Sequence, residues 1–130
     1  MAALRKAAEL GCTASQNELG ALLLSHNKAI EAMEWFSQSA AKGNMYAQAN
    51  IGWGYYSGNG VTQSYPLALS WYKKAAEQGH PESQYNLGLM YADALGTSKN
   101  LEAAEHWLVL ASNGGVASAS EALARVRRKT

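Results

Sequence analysis

Cysteine is nearly absent: Cys12 stands alone among 130 residues, which excludes an internal disulfide framework and a cysteine metal site. That usage fits a reducing compartment without proving one, since many exported chains also lack disulfides, so the localisation stays unknown. Charge of one sign is also missing. Eleven basic residues face ten acidic ones, a net charge of +1, and no overall field favours nucleic acid or an anionic membrane. Long apolar runs are lacking as well. The opening MAALRKAAELG has neither a signal-peptide apolar core nor a cleavage pattern, so neither targeting nor membrane insertion is expected.

What the chain does have is a repeat. Sliding the stretch from Gly43 to Gly79 forward by 36 positions lays Gly43 on Gly79 on Gly115, Ile51 on Leu87 on Leu123, Tyr55 on Tyr91 and Trp71 on Trp107. Backward, its second half still fits at 36 (Trp71 on Trp35), whereas its first half fits at 32 (Gly52 on Gly20). The first repeat is thus four residues shorter between its halves. Such a period marks stacked supersecondary units, none of which buries its apolar face alone. The expected division of a single domain, residues 1–130, is a partial repeat 2–11, repeats 12–43, 44–79 and 80–115, and a terminal capping helix 116–130.

Each repeat reads as two helices, giving about eight in all and no strand. The first and second helices are expected at about 13–24 and 28–42, then 45–57 and 65–78, with the third pair following the same plan from Pro81. Asn27, Ser64 and Asn100 are expected N-caps, since their side-chain oxygens can accept first-turn amides. Gly11, Gly43, Gly79 and Gly115 fall where second helices end, the place of a left-handed C-terminal residue. Gly20, Gly52 and Gly88 lie inside first helices, where glycine costs roughly 1 kcal/mol against alanine. Close packing against Ala32, Ala68 and Ala104 of the facing second helices is the expected compensation. Trp35, Trp71 and Trp107, with Phe36, Tyr72 and Leu108, are read as core between helices.

The run Ala47-x3-Ile51-Gly52-x2-Tyr55-x2-Gly58-x-Gly60-Val61, followed by Ala68-x2-Trp71-x3-Ala75-Ala76-x2-Gly79, resembles the Sel1-like repeat, a relative of the tetratricopeptide repeat. Repeat three is similar almost position for position, through Ser83, Leu87-Gly88, Tyr91, Gly96, Ala104, Trp107, Ala111 and Gly115, but has Ala94 where Gly58 stands and Thr97 where Val61 stands. Repeat one lacks the glycine-rich loop. The resemblance implies an all-α fold, a right-handed superhelix of antiparallel helix pairs (an α/α solenoid), and a role as an adaptor that assembles other proteins.

On a wheel of 100° per residue, Ala47, Ile51, Gly52 and Tyr55 form one stripe of the second repeat's first helix. Tyr46, Ala49, Trp53 and Tyr56 form another, nearly opposite, which cannot enter the same core. In the related architecture first helices line the concave wall, so this stripe is expected to face a groove. Repeat three supplies Glu82, Tyr85, Leu89 and Ala92 at the equivalent places. Tyr46, Trp53, Tyr56, Tyr85 and Leu89 are therefore the candidate partner-binding residues, because Trp and Tyr bury large areas at low entropic cost and keep a polar tip. A tightly wound array could instead close its inner wall, with Trp53 packed on Tyr85 or Leu89, and both readings stand at this point.

Catalytic readings are weak. His26, His80 and His106 lack ligand spacing, and Cys12 at a helix start could be a reactive thiol but reads first as an incidental small residue. Gly58-x-Gly60 follows no strand, so it is no phosphate cradle. The tail Arg125, Arg127, Arg128 and Lys129 reads as last-turn cations that complement the helix dipole. No catalytic, cofactor-binding or metal site is expected. The function that follows is a non-catalytic module binding a peptide or helix of a partner protein in its groove. The alternative is a structural segment or protomer of a longer array that self-associates through its end faces.

Overall fold

The computed structural model describes residues 2–129, and among them every regular element is a helix. These are α1 (Ala2–Glu9), α2 (Thr13–Ser25), α3 (Ala29–Ala41), α4 (Met45–Ser57), α5 (Tyr65–Glu77), α6 (Pro81–Asp93), α7 (Leu101–Asn113) and α8 (Ala117–Lys129). The expected helices are present, with ends shifted by a residue or so. They group into two compact units, one ending at Ser64 and the other beginning at Tyr65.

In the first unit each helix packs on the next in sequence, α1 on α2, α2 on α3 and α3 on α4. Leu19 and Leu23 of α2, Ala32, Met33, Phe36 and Ala40 of α3, and Ala47 and Ile51 of α4 are buried. In the second unit α5, α6, α7 and α8 pack consecutively, and α8 also touches α6. One cluster there joins Ala104 and Leu108 of α7 to Ala122, Leu123 and Val126 of α8.

The second helices stop as their sequence demands. At Gly43 the chain turns left-handed (φ +91), so that Gly43 N–H reaches Ala40 O at 2.9 Å and Asn44 N–H reaches Ser39 O at 3.3 Å. This pair of bonds satisfies carbonyls that the helix leaves open, and a β-carbon would strain the turn. The same pair recurs at Gly11, Gly79 and Gly115. Asn27 corrects the sequence reading: it caps no helix start, but takes the left-handed place (φ 60) after α2. Asn27 N–H bonds Leu24 O at 3.1 Å and Lys28 N–H bonds Leu23 O at 2.9 Å. Asparagine tolerates that conformation better than most residues, so the shorter first repeat closes with the same device that its neighbours build from glycine. Asn100 caps α7 as expected, accepting from Ala103 N–H at 3.0 Å.

The glycine-rich loops have a second use. A β-carbon on Gly60 (φ +86) would lie 2.6 Å from Ala29 O at the start of α3, and one on Gly96 (φ +77) would lie 2.5 Å from the backbone of Tyr65 at the start of α5. Each loop thus lies against the opening of the preceding repeat's second helix, at a distance only glycine permits. Ala94, the departure from the glycine at 58, keeps the left-handed turn (φ 57) all the same. Leu95 N–H bonds Met90 O and Asn100 N–H bonds Tyr91 O, as Asn59 N–H bonds Gly54 O and Ser64 N–H bonds Tyr55 O.

Within the helices, the close approach at Gly20 and Gly88 is real but its partners differ from those expected. A β-carbon on Gly20 would meet the Phe36 ring at 2.6 Å, and one on Gly88 would meet the Leu108 side chain at 2.8 Å. Ala104 contributes only its carbonyl oxygen, 3.3 Å away. The glycines make room for a large side chain one turn further along the second helix. The tryptophans are corrected by the same geometry: Phe36, Tyr72 and Leu108 are buried, whereas Trp35, Trp71 and Trp107 are only half-buried. One residue is 100° of helix, enough to move a side chain from between two helices to their edge.

Candidate functional site

In the first unit the outward face of α4 carries the aromatic residues. Asn44 Oδ1 accepts from Ala47 N–H at 2.9 Å, fixing where the helix begins and hence which residues face inward. Ala47, Ile51 and Gly52 point into the core and are buried. On the other side Tyr46 is 53% exposed, Trp53 43% and Tyr56 39%. Those fractions place them outside the core without leaving them as loose surface chains, for each still covers part of its area against protein. Beside them Asn50 Nδ2 donates to Asn17 Oδ1 of α2 at 3.1 Å, a polar bridge between two first helices.

In the second unit the equivalent residues of α6 are more covered. Tyr85 and Leu89 are half-buried and pack, with Ala92, against the cluster of Ala104, Leu108, Ala122, Leu123 and Val126. The contact of α8 with α6 gives this face a neighbour. Tyr85 also lines a cleft of about 420 Å³ whose other residues, among them Glu121, Arg125 and Arg128, all come from α8. The five candidate residues are thus distributed over two faces of different character. The face of α4 is aromatic and open; that of α6 is half-closed and basic on one side.

Three glutamines at repeat spacing, Gln16, Gln48 and Gln84, are buried and were missed by the sequence reading. Gln16 Nε2 donates to Ala8 O at 3.1 Å and Gln84 Nε2 to Ala76 O at 3.2 Å. Each ties a first helix to the end of the second helix before it. Their recurrence at the repeat spacing was the available signal.

The three histidines, Lys74 and Cys12 make local contacts. His80 caps α6: its Nδ1 accepts from Ser83 N–H at 3.3 Å and lies 2.7 Å from Ser83 Oγ, while Nε2 lies 3.4 Å from Glu82 Oε2. Burial pushes the ring's pKa down, against the opposing pull of Glu82. His26 Nδ1 lies 2.8 Å from Leu22 O at the end of α2. His106 meets Trp107 edge-on at 5.0 Å, and Lys74 Nζ stands 4.1 Å over the Trp71 ring. Cys12 is exposed; its sulfur accepts from Ser15 Oγ at 3.1 Å, and that bond holds the thiol below its ordinary pKa. Among the described residues no group of three or more His, Cys, Asp and Glu is placed to hold a metal, and no helix is long and apolar enough to cross a membrane.

Comparison with known proteins gives a consistent picture. The Sel1 repeat matches the chain three times, over residues 13–44, 46–80 and 81–116. A Sel1 repeat protein from Oxalobacter formigenes is similar in structure with a TM-score of 0.84 and 30% identity, over 88% of this chain and 49% of that one. The protective antigen c5321 of uropathogenic Escherichia coli strains, which displays an SLR fold, gives 0.89 and 34% identity over 98% of this chain. This chain spans only 28% of c5321, and about half of the Oxalobacter protein. No curated protein matches it in sequence.

Proposed function

The chain belongs to the Sel1 repeat family, and from that premise we propose that it acts as a non-catalytic module holding a peptide or helix of another protein against its first-helix faces. Sel1 repeats are in general protein–protein interaction scaffolds. The observation that carries the finer reading is the outward face of α4, where Tyr46, Trp53 and Tyr56 present half-exposed rings from a helix whose opposite side is already satisfied by Ala47, Ile51 and Gly52. Large rings that are partly held and partly bare supply contact area at small entropic cost, the composition of a binding hot spot. Tyr85 and Leu89 take the same part on α6, with less bare surface and more of their area engaged within the unit.

The test is Trp53→Ala beside the wild type, with peptides selected from a displayed library as ligands and thermal melts as control. Lost affinity with a stability cost well below the ~3–5 kcal/mol of a truncated core tryptophan supports the reading. If no peptide binds and sedimentation shifts with protein concentration, association through end faces takes its place.

A further inference from the structure

The basic residues of α8 do not all serve the helix end. Arg127 is paired, its Nε donating to Glu105 Oε1 at 3.0 Å. The side chains of Arg125 and Arg128 form no ion pair or hydrogen bond with a described residue, and both line the cleft with Tyr85. They stand three residues apart, so one helical face carries both guanidinium groups. Small residues, Ser118, Ala122 and Ala124, complete the lining, which holds a single carboxylate, Glu121. Two cations against one anion, beside an aromatic wall, is a surface with a positive excess that no described residue neutralises. Complementing the helix dipole accounts for cations near a C-terminus, but not for their gathering on the side that faces Tyr85.

We propose that the α6–α8 cleft seats an acidic segment of a partner protein, its carboxylates received by Arg125 and Arg128 and its chain laid against Tyr85. This rests on the interaction-module reading and deepens it by naming the chemistry of the ligand. Arginine suits the role because its planar fork meets a carboxylate through two parallel bonds. A volume of about 420 Å³ accommodates a few side chains rather than a folded surface, so a short extended segment is the occupant that fits.

The experiment pans a random-peptide phage library against the full chain, its R125Q/R128Q variant and its R125E/R128E variant, after matching their melting curves. Both arginines are exposed, so the three chains should melt alike. Peptides selected by the wild type are expected to be enriched in Asp and Glu over the input library. Their synthesised consensus should bind R125Q/R128Q about tenfold more weakly or worse and lose affinity with added salt. The R125E/R128E chain should select Lys and Arg instead. Peptides selected without acidic enrichment, or held equally by all three chains, overturn the proposal while the interaction-module reading stands; selection of no peptide overturns both. An oligothymidylate and phosphatidylserine vesicles are tested in parallel. Binding of either that depends on Arg125 and Arg128, without acidic enrichment among peptides, reassigns the cleft to phosphate.

Discussion

Replacing Gly20 by alanine tests why a glycine occupies the middle of α2. On helix propensity alone the change stabilises by roughly 1 kcal/mol. The added β-carbon, however, would stand 2.6 Å from Phe36 Cε1 and 2.7 Å from Cδ1, where ordinary contact begins near 3.4 Å. Either the ring or the helix must give by most of an ångström. Phe36 is 1% exposed and its ring is stiff, so the strain falls at the upper part of the ~1–3 kcal/mol found for overpacked cores. The net expectation is a loss of about 1–2 kcal/mol, a fall of several degrees in Tm for a chain of this size. Urea unfolding followed by circular dichroism reads it directly. Shortening the ring in the same background, Gly20→Ala with Phe36→Leu, should recover part of the loss, giving a coupling of about 1 kcal/mol in a double-mutant cycle. A Gly20→Ala chain more stable than wild type would refute the packing argument and leave the glycine without a structural reason.

Two further substitutions probe local geometry. Ala94 occupies a left-handed turn at φ 57 that costs an L-residue about 1–2 kcal/mol, so Ala94→Gly should stabilise by about 0.5–1 kcal/mol once the greater freedom of the unfolded glycine is subtracted; an unchanged urea midpoint counts against the strain. His80 links stability to pH. Its folded pKa lies below the ordinary 6.5, so the unfolded chain takes up the proton first as pH falls. The stabilisation is complete above about 6.5 and is lost as pH drops from there through the folded value. Protonation puts a hydrogen on Nδ1 and removes the cap to Ser83. His80→Asn, which retains a capping oxygen as Asn44 does, should flatten this part of the curve, and a pH profile identical to wild type would count against the assignment.

Much of the fold was legible in the sequence because repetition makes helix register visible. The 36-residue period locates the second-helix ends at Gly43, Gly79 and Gly115, and the 100° phase of α4 separates Ile51 from Trp53. What escaped depends on neighbours that a single helix does not reveal. Phe36 rather than Trp35 fills the space opposite Gly20, a matter of 100° of rotation that the pattern of small residues leaves undetermined. Asn27 replaces a glycine in a turn that the first repeat reaches by a shorter path. Gly60 and Gly96 read as loop residues, and only their distance to the preceding repeat explains them. The candidate site divides along the same line. The aromatic face of α4 follows from helical phase, whereas the partial covering of Tyr85 and Leu89 follows from where α8 comes to rest, which no periodicity encodes.

The central claim, that the outward face of α4 is a binding surface, is tested most directly by the affinity of the Trp53→Ala chain for a peptide selected by the wild type, measured by fluorescence anisotropy beside the melting curve of each chain. The expected result is an affinity loss of about tenfold or more, some 1.4 kcal/mol, with the fold intact and a stability cost well short of a core truncation. Unchanged affinity, or a collapse in stability of ~3–5 kcal/mol, would instead make Trp53 a structural residue and remove the binding role from this face.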